Sequence, residues 1–200
     1  MNTVTFGLKN VTYALVEEDA LGNITYEKET YRQPGAVELK MDPKGEKMDF
    51  YADDRLYFTE STNQGFEGVL TIAEPTEHFR TSVLGEVLDE EDFVLTEVSN
   101  AKTRKIALMF EFDGDVRAVR HVLYYTSVGR TGLSSNTKGD KNEPNKTELN
   151  LVASPRPDNS KVKTATTART PESIYNNWYN EVYEKKVAPK EAAKQDKLSK

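Results

Sequence analysis

Residues Ile106–Val128, IALMFEFDGDVRAVRHVLYYTSV, limit what this chain can fold into more than any other stretch. Two runs of strand-forming residues flank Asp113-Gly114, a dipeptide that supplies positive φ at low cost and suits a two-residue type I′ hairpin turn. Ahead of it, Ile106, Leu108, Phe110 and Phe112 alternate with Ala107, Met109 and Glu111, so one face is large and apolar. Beyond it the alternation fails: Val119, Leu123 and Tyr125 share one face, Val122 and Tyr124 the other. A strand that is apolar on both faces is covered on both faces. The hairpin is therefore expected at the centre of a β core, with a second cover for which a neighbouring subunit is a candidate.

The rest of the chain supports an all-β body. Val4–Val16 alternates, with a change of phase near Lys9-Asn10 that predicts a bulge. Leu21-Gly22-Asn23 and Asp42-Pro43-Lys44-Gly45 read as turns, and strands are expected over Ala36–Met41, Met48–Tyr51, Leu56–Thr62, Phe66–Ala73, Phe93–Val98, Thr147–Ser154 and Val162–Thr166. One body helix is expected over Thr76–Leu88, capped by Thr76, with Phe79, Val83, Leu84, Val87 and Leu88 on one stripe. Gly129–Asn145 is a long polar loop. Thr170-Pro171-Glu172 opens a second helix, whose face of Ile174, Tyr175, Trp178, Tyr179 and Val182 is expected to dock on the body or on a neighbour.

Composition narrows the function classes. Hydrophobic residues make up 36% of the chain and mean hydropathy is −0.70. That is a thin core for this length, consistent with burial through assembly. Net charge is −6, which argues against general nucleic-acid binding. The last stretch, Glu184–Lys200, holds six Lys against three acids, so the remainder carries about −9. There is no cysteine, hence no disulfide and no thiolate chemistry. The first residues lack a basic and then apolar signal pattern, and no apolar run reaches membrane-spanning length, so a soluble cytoplasmic origin is expected.

Catalytic and cofactor signals are weak. The two histidines, His78 and His121, read as structural, and two histidines without cysteine make a zinc site unpromising. No phosphate-binding glycine motif is present. Asp113-Gly114-Asp115 lacks the ligands of a calcium loop. Asp53-Asp54 and Glu90-Glu91-Asp92 read as solvated acidic loops. No cofactor and no metal is expected, and no enzymatic activity. The concentration of Phe50, Tyr51, Tyr57 and Phe58 beside acids suits a protein interface, with Phe50 and Phe58 reading equally well as core residues.

Taken in order, FGLKNVTYALV, PGAVELKMDPKGEKMDFYADDRLYF, HFRTSVLGEVLDE, ALMFEFDGD with VRAVRHVLYY, and ASPRPDNSKVK resemble the major tail protein of long, non-contractile-tailed bacteriophages of Gram-positive hosts. The resemblance covers most of residues 4–183. It implies a mainly β, sandwich- or barrel-like tail-tube fold with one flanking helix. Together with the reading of the residues, it divides the chain into 1–168 as the tail-tube domain, 169–183 as a C-terminal helix and 184–200 as a basic tail expected to be disordered. Its functional implications are a structural virion protein made in the host cytoplasm, hexameric rings stacked into a tube, and DNA passing in transit without specific binding. The implied partners are further copies of itself, the tape-measure protein in the lumen, and tail terminator and distal tail proteins at the ends, with no membrane partner. On that view Met48, Phe50, Tyr51, Asp53, Asp54 and Tyr57 are subunit-interface candidates, on an arm Met41–Tyr57 that reaches a neighbour. Glu111 and Glu148 are candidates for an acidic lumen. Two competing readings are a monomeric β-sandwich carbohydrate-binding module, using Tyr51, Tyr57 or Trp178 as a platform, and a small β hydrolase using the acidic pairs.

Overall fold

The computed structural model describes residues 4–133, 135 and 144–185. The strands, in chain order, are β1 (Thr5–Glu18), β2 (Ile24–Tyr26), β3 (Tyr31–Arg32), β4 (Ala36–Lys44), β5 (Lys47–Ala52), β6 (Arg55–Ser61) and β7 (Gly65–Ile72). After the helix α1 (Glu77–Ser82) come β8 (Val87–Leu88), β9 (Leu95–Thr96), β10 (Ile106–Gly114), β11 (Val119–Val128), β12 (Thr147–Ala153) and β13 (Lys163–Ala165), then the helix α2 (Glu172–Asn176). The architecture is mainly β. One nine-stranded antiparallel sheet runs β2-β1-β10-β11-β12-β7-β4, with β13 also on β11 and β3 on β1; β5–β6 and β8–β9 form separate two-stranded sheets.

The large sheet curls about its own core. Val11, Tyr13 and Leu15 of β1, Ile106, Leu108 and Phe110 of β10, Leu123 of β11, Leu149 and Leu151 of β12, and Leu70 and Ile72 of β7 meet in one buried cluster, joined by Leu39 and Met41 of β4. β4 thereby comes back against β1. The close spacing of β4 and β7 depends on Gly68, where a Cβ would lie 1.9 Å from the Lys40 carbonyl oxygen. The expected bulge in β1 is present: Asn10 has φ 52, and the register with β10 shifts between Lys9 and Thr12.

Three local expectations are corrected. Asp113-Gly114 is not the hairpin turn. Both residues belong to β10 and pair with Phe6 and Thr5, and the chain reverses beyond them, before Val119. Pairing with β1 outweighs the local turn preference. The two-residue turn with positive φ at both central positions is Asp53-Asp54 (φ 51 and 55), closed by Ala52 opposite Arg55.

Second, α1 stops at Ser82 instead of continuing to Leu88. Thr76 Oγ1 caps it by accepting from the Phe79 N–H, at 3.2 Å. Gly85 then turns left-handed (φ 78), where a Cβ would lie 2.9 Å from the Lys102 carbonyl oxygen, and Val87-Leu88 leave to pair with β9. Phe79, Val83 and Leu84 are buried as expected, whereas Val87 is exposed. Third, β4 continues through Asp42-Pro43 to Lys44, opposite Gly65, and passes straight into β5.

Candidate assembly surfaces

The second face of β10–β11 is covered from within the chain. Ala14, Ala107, Met109, Val122 and Tyr124 form a buried cluster with Trp178 and Val182, flanked by Ile174, Tyr179 and Tyr183. Among the described residues the regular helix covers only Glu172–Asn176, shorter than the expected 169–183, and the chain continues to Glu184 as a strap. Pro171 caps α2 without a side-chain hydrogen bond. The strap is held at many points. Trp178 Nε1–H donates to the His121 carbonyl (3.4 Å), Thr30 Oγ1 to the Tyr179 carbonyl (2.6 Å) and the Tyr124 hydroxyl to the Tyr183 carbonyl (2.9 Å). The Tyr175 ring carries the guanidinium groups of Arg117 and Arg120, at 3.4 and 3.7 Å.

Two arginines latch its ends. Arg120 Nε donates to Glu111 Oε2 at 3.0 Å, and a second nitrogen donates to the Tyr175 carbonyl. Glu111 also accepts from Asn10 Nδ2 (2.7 Å) and the Tyr179 hydroxyl (3.1 Å). Burial, reinforced by the Glu111 charge, pushes the Tyr179 hydroxyl up and keeps it a donor. At the other end, Arg156 bonds Asp158 (Nε to Oδ1, 2.9 Å), the Tyr26 hydroxyl (3.0 Å), the Ile24 carbonyl (3.0 Å) and Glu184 of the strap. Burial opposes its charge, but the bonds to Asp158 and Glu184 and the field of Tyr26 hold its pKa above the ordinary value.

These contacts decide several candidate residues. Glu111 is buried and fully engaged under the strap, so it cannot present its charge to a channel wall. Trp178 is 2% exposed and cannot serve as a carbohydrate platform. Neither latch was visible in the sequence. Arg156 sits in a stretch that reads only as a turn, and its partners lie at residues 24, 26 and 184. His121 is structural in its contacts: it stacks on Phe110 (5.2 Å between centroids), and burial, with Lys163 adding repulsion, lowers its pKa to about 4.

Glu148 has a different environment. It is exposed on β12, while Leu149 and Leu151 point inward. Register places Glu148 level with Thr71 and Glu38, and Val152 level with Glu67 and Asp42. Glu38, Asp42, Glu67 and Glu148 therefore share the outward face of β4–β7–β12. Lys40 pairs with Asp42 at 3.5 Å and Lys44 with Glu67 at 3.1 Å.

The remaining candidates lie together on the arm formed by β5 and β6. The arm continues the β4–β7 pair outward: the Gln64 N–H donates to the Lys44 carbonyl and the Thr62 N–H to the Glu46 carbonyl, both at 2.9 Å. Beyond that point β5 and β6 pack chiefly on each other. Met48, Phe50, Tyr51, Leu56, Tyr57 and Phe58 are all at least half exposed, Tyr57 reaching 69%. Phe50 faces Phe58 across the pair, and the Tyr57 ring stands edge-on to Phe50 at 6.5 Å. Asp53 and Asp54 form the tip. The arm is thus a paired hairpin within the single chain. Part of the long polar loop 129–145, residues 134 and 136–143, lies outside the described residues, as does 186–200 of the basic tail.

Among the described residues no group of three or more His, Cys, Asp or Glu could hold a metal ion, and no helix is long and apolar enough to cross a membrane. The fold and its surfaces define a curled β body with one self-covered face and one apolar arm left open. No protein-family model and no curated protein matches the chain. Among solved structures it is similar to the tube-terminating cap of the anti-feeding prophage, solved by cryo-EM. Identity is 10%, coverage is 78% of this chain and 88% of that one, and the TM-score is 0.48. A likeness of that size carries no argument about function.

Proposed function

We propose that this chain is a structural, non-catalytic protein of a bacteriophage tail, a tail-tube subunit that forms hexameric rings stacked into the conduit for DNA ejection. In the virion it would enclose the tape-measure protein and meet terminator and distal tail proteins at the tube ends. The observation that carries this reading is the arm. Six large apolar side chains are each at least half exposed on one projecting hairpin, and apolar side chains clustered in that way mark a surface for a partner. The ordered sequence resemblance supplies the kind of partner, further copies of the chain. The acid-rich face of β4–β7–β12 becomes the lumen candidate, with Glu148 retained and Glu111 withdrawn. An acidic wall would repel phosphate and let a duplex slide, where a basic one would hold it.

Electron microscopy of concentrated protein tests the reading. Rings or tubes are expected from the full chain, and a folded monomer once residues 46–61 are replaced by a short turn. Tubes formed equally well without the arm would overturn it. A dispersed monomer that binds glycans through Tyr51 and Tyr57 would instead favour the carbohydrate-binding alternative. Assembled tubes are expected to bind duplex DNA weakly even at low salt.

A further inference from the structure

The β8–β9 hairpin ends in an unusual residue. Phe93 has φ 54, and its side chain is 77% exposed. A bulky side chain in the left-handed region is a real outlier, and such strain persists only where surrounding bonds impose it. Here Asp89 imposes it. Its carbonyl accepts from the Phe93 N–H (3.0 Å), its N–H donates to the Val94 carbonyl (2.9 Å), and its Oδ1 accepts from the N–H groups of Glu91 and Asp92 (2.8 and 2.9 Å). The result is a stiff loop presenting one aromatic ring behind three exposed acids, Glu90, Glu91 and Asp92.

A cavity of complementary character lies at the other end of the body. It has a volume of about 560 Å³ and is lined by Thr5, Arg117, Val119, Thr166, Ala168 and Arg169, among others. Its floor is largely apolar and its charged lining is basic. Arg117 is engaged with Glu172 at 3.2 Å; among the described residues Arg169 makes no ion pair. The two features cannot meet within one chain. The hairpin is rooted where β10 begins: the Arg104 N–H donates to the Val83 carbonyl (2.9 Å), and Glu97 pairs with Arg130 just past β11. The cavity lies where β10 ends, since Thr5 pairs with Gly114. At about 3.3 Å per residue, the ends of β10 are roughly 27 Å apart.

We infer that Phe93 of one copy seats in the Arg117–Arg169 cavity of a second copy, with Glu90, Glu91 and Asp92 against its arginines. The occupant is chosen by charge complementarity and by an apolar floor that accepts a ring. Because knob and socket are different surfaces, the contact is head-to-tail. Repeated, it gives a ring or a filament and not a closed dimer. The inference adds a contact to the tube reading and is tested apart from it.

The chain has no cysteine, so a Val94→Cys/Ala168→Cys variant, which keeps the Phe93 ring and the three acids, reports the contact alone. Mild oxidation is expected to give a ladder of covalent multimers, with none from either single variant. Phe93→Asn keeps a residue that tolerates positive φ but removes the ring. Phe93→Asn and Arg169→Glu should each melt like the parent while weakening self-association about tenfold or more in sedimentation. Mixed, they should form a heterodimer that grows no further, because one retains the socket and the other the knob. Absence of the ladder, or parental self-association of Phe93→Asn, overturns the inference. Tubes without a ladder would leave the tube reading standing and remove this contact. A ladder without tubes would do the reverse.

Discussion

The strap and the arm are made of similar residues and meet opposite fates. Each places several aromatic side chains on a short run of chain. In the strap Trp178 is 2% exposed, and Trp178 and Val182 close over Met109 and Tyr124. In the arm Tyr57 is 69% exposed and Phe50 meets little beyond its own hairpin. Composition does not distinguish them. The difference lies in what the body offers. β10 and β11 expose an apolar outer face that only an added layer can bury, and the strap is within reach of it. The arm leaves the sheet at Gly65 and Lys44 and has no face of its own chain opposite it. Aromatic residues near the end of a chain can therefore complete a fold, while similar residues on a projecting hairpin are free to complete an assembly.

That contrast can be broken most directly at Trp178. Trp178→Ala is expected to cost about 3–5 kcal/mol, because a buried indole leaves a cavity beside Tyr124 and Tyr183. Urea unfolding measures it; a loss below about 1 kcal/mol would mean the strap is not part of the core. The latch comes next. Arg156→Met removes charge-assisted bonds to Asp158 and Glu184 and a donor to Tyr26, for about 2–3 kcal/mol. The loss should persist in salt, unlike that from the more exposed Arg104–Glu27 pair, worth under about 1 kcal/mol. Limited proteolysis should then cut between Tyr175 and Glu184, and continued resistance would count against the latch.

Histidine 121 sharpens the comparison through pH. Its pKa falls from 6.5 to about 4 on folding. As pH drops, the unfolded chain takes up this proton first. Its contribution is complete above about pH 6.5 and lost progressively down to about pH 4, amounting to about 2 kcal/mol after allowance for partial contact with water. His121→Phe should flatten the stability profile over that window; an unchanged slope would show that the ring is not held neutral beside Phe110 and Phe112, on the face of β11 away from the strap. The smallest effect on folding belongs to the arm. Tyr57→Ser with Phe58→Ser should change stability by no more than about 0.5 kcal/mol yet prevent rings or tubes in electron micrographs. A drop in melting temperature like that of Trp178→Ala would erase the distinction.

The sequence by itself determined the features that local chemistry controls. Alternation marked the strands of the body, the phase change at Lys9-Asn10 located the bulge, and apolar residues on both faces of Val119–Val128 required a double cover. The spacing of Ile174, Trp178 and Val182 marked an apolar face free to dock on the body or on a neighbour, but the sequence pointed to a neighbouring subunit for the second cover, and only the fold placed this segment there. Tertiary structure decided wherever the competing partner is distant in the chain. The Asp113-Gly114 turn signal yielded to pairing with Thr5 and Phe6, and the helical stripe past Leu84 yielded to Gly85 against Lys102 and to β9. Two acids on strands, Glu111 and Glu148, look alike in sequence. One is buried against Arg120 and Tyr179 and the other faces water, because the strap covers β10 and not β12. Arg156 became a latch only when folding brought Ile24, Tyr26 and Glu184 around it. Periodicity records which face of an element is apolar, but the free energy of a buried charge or a turn depends on which groups the whole chain brings to it.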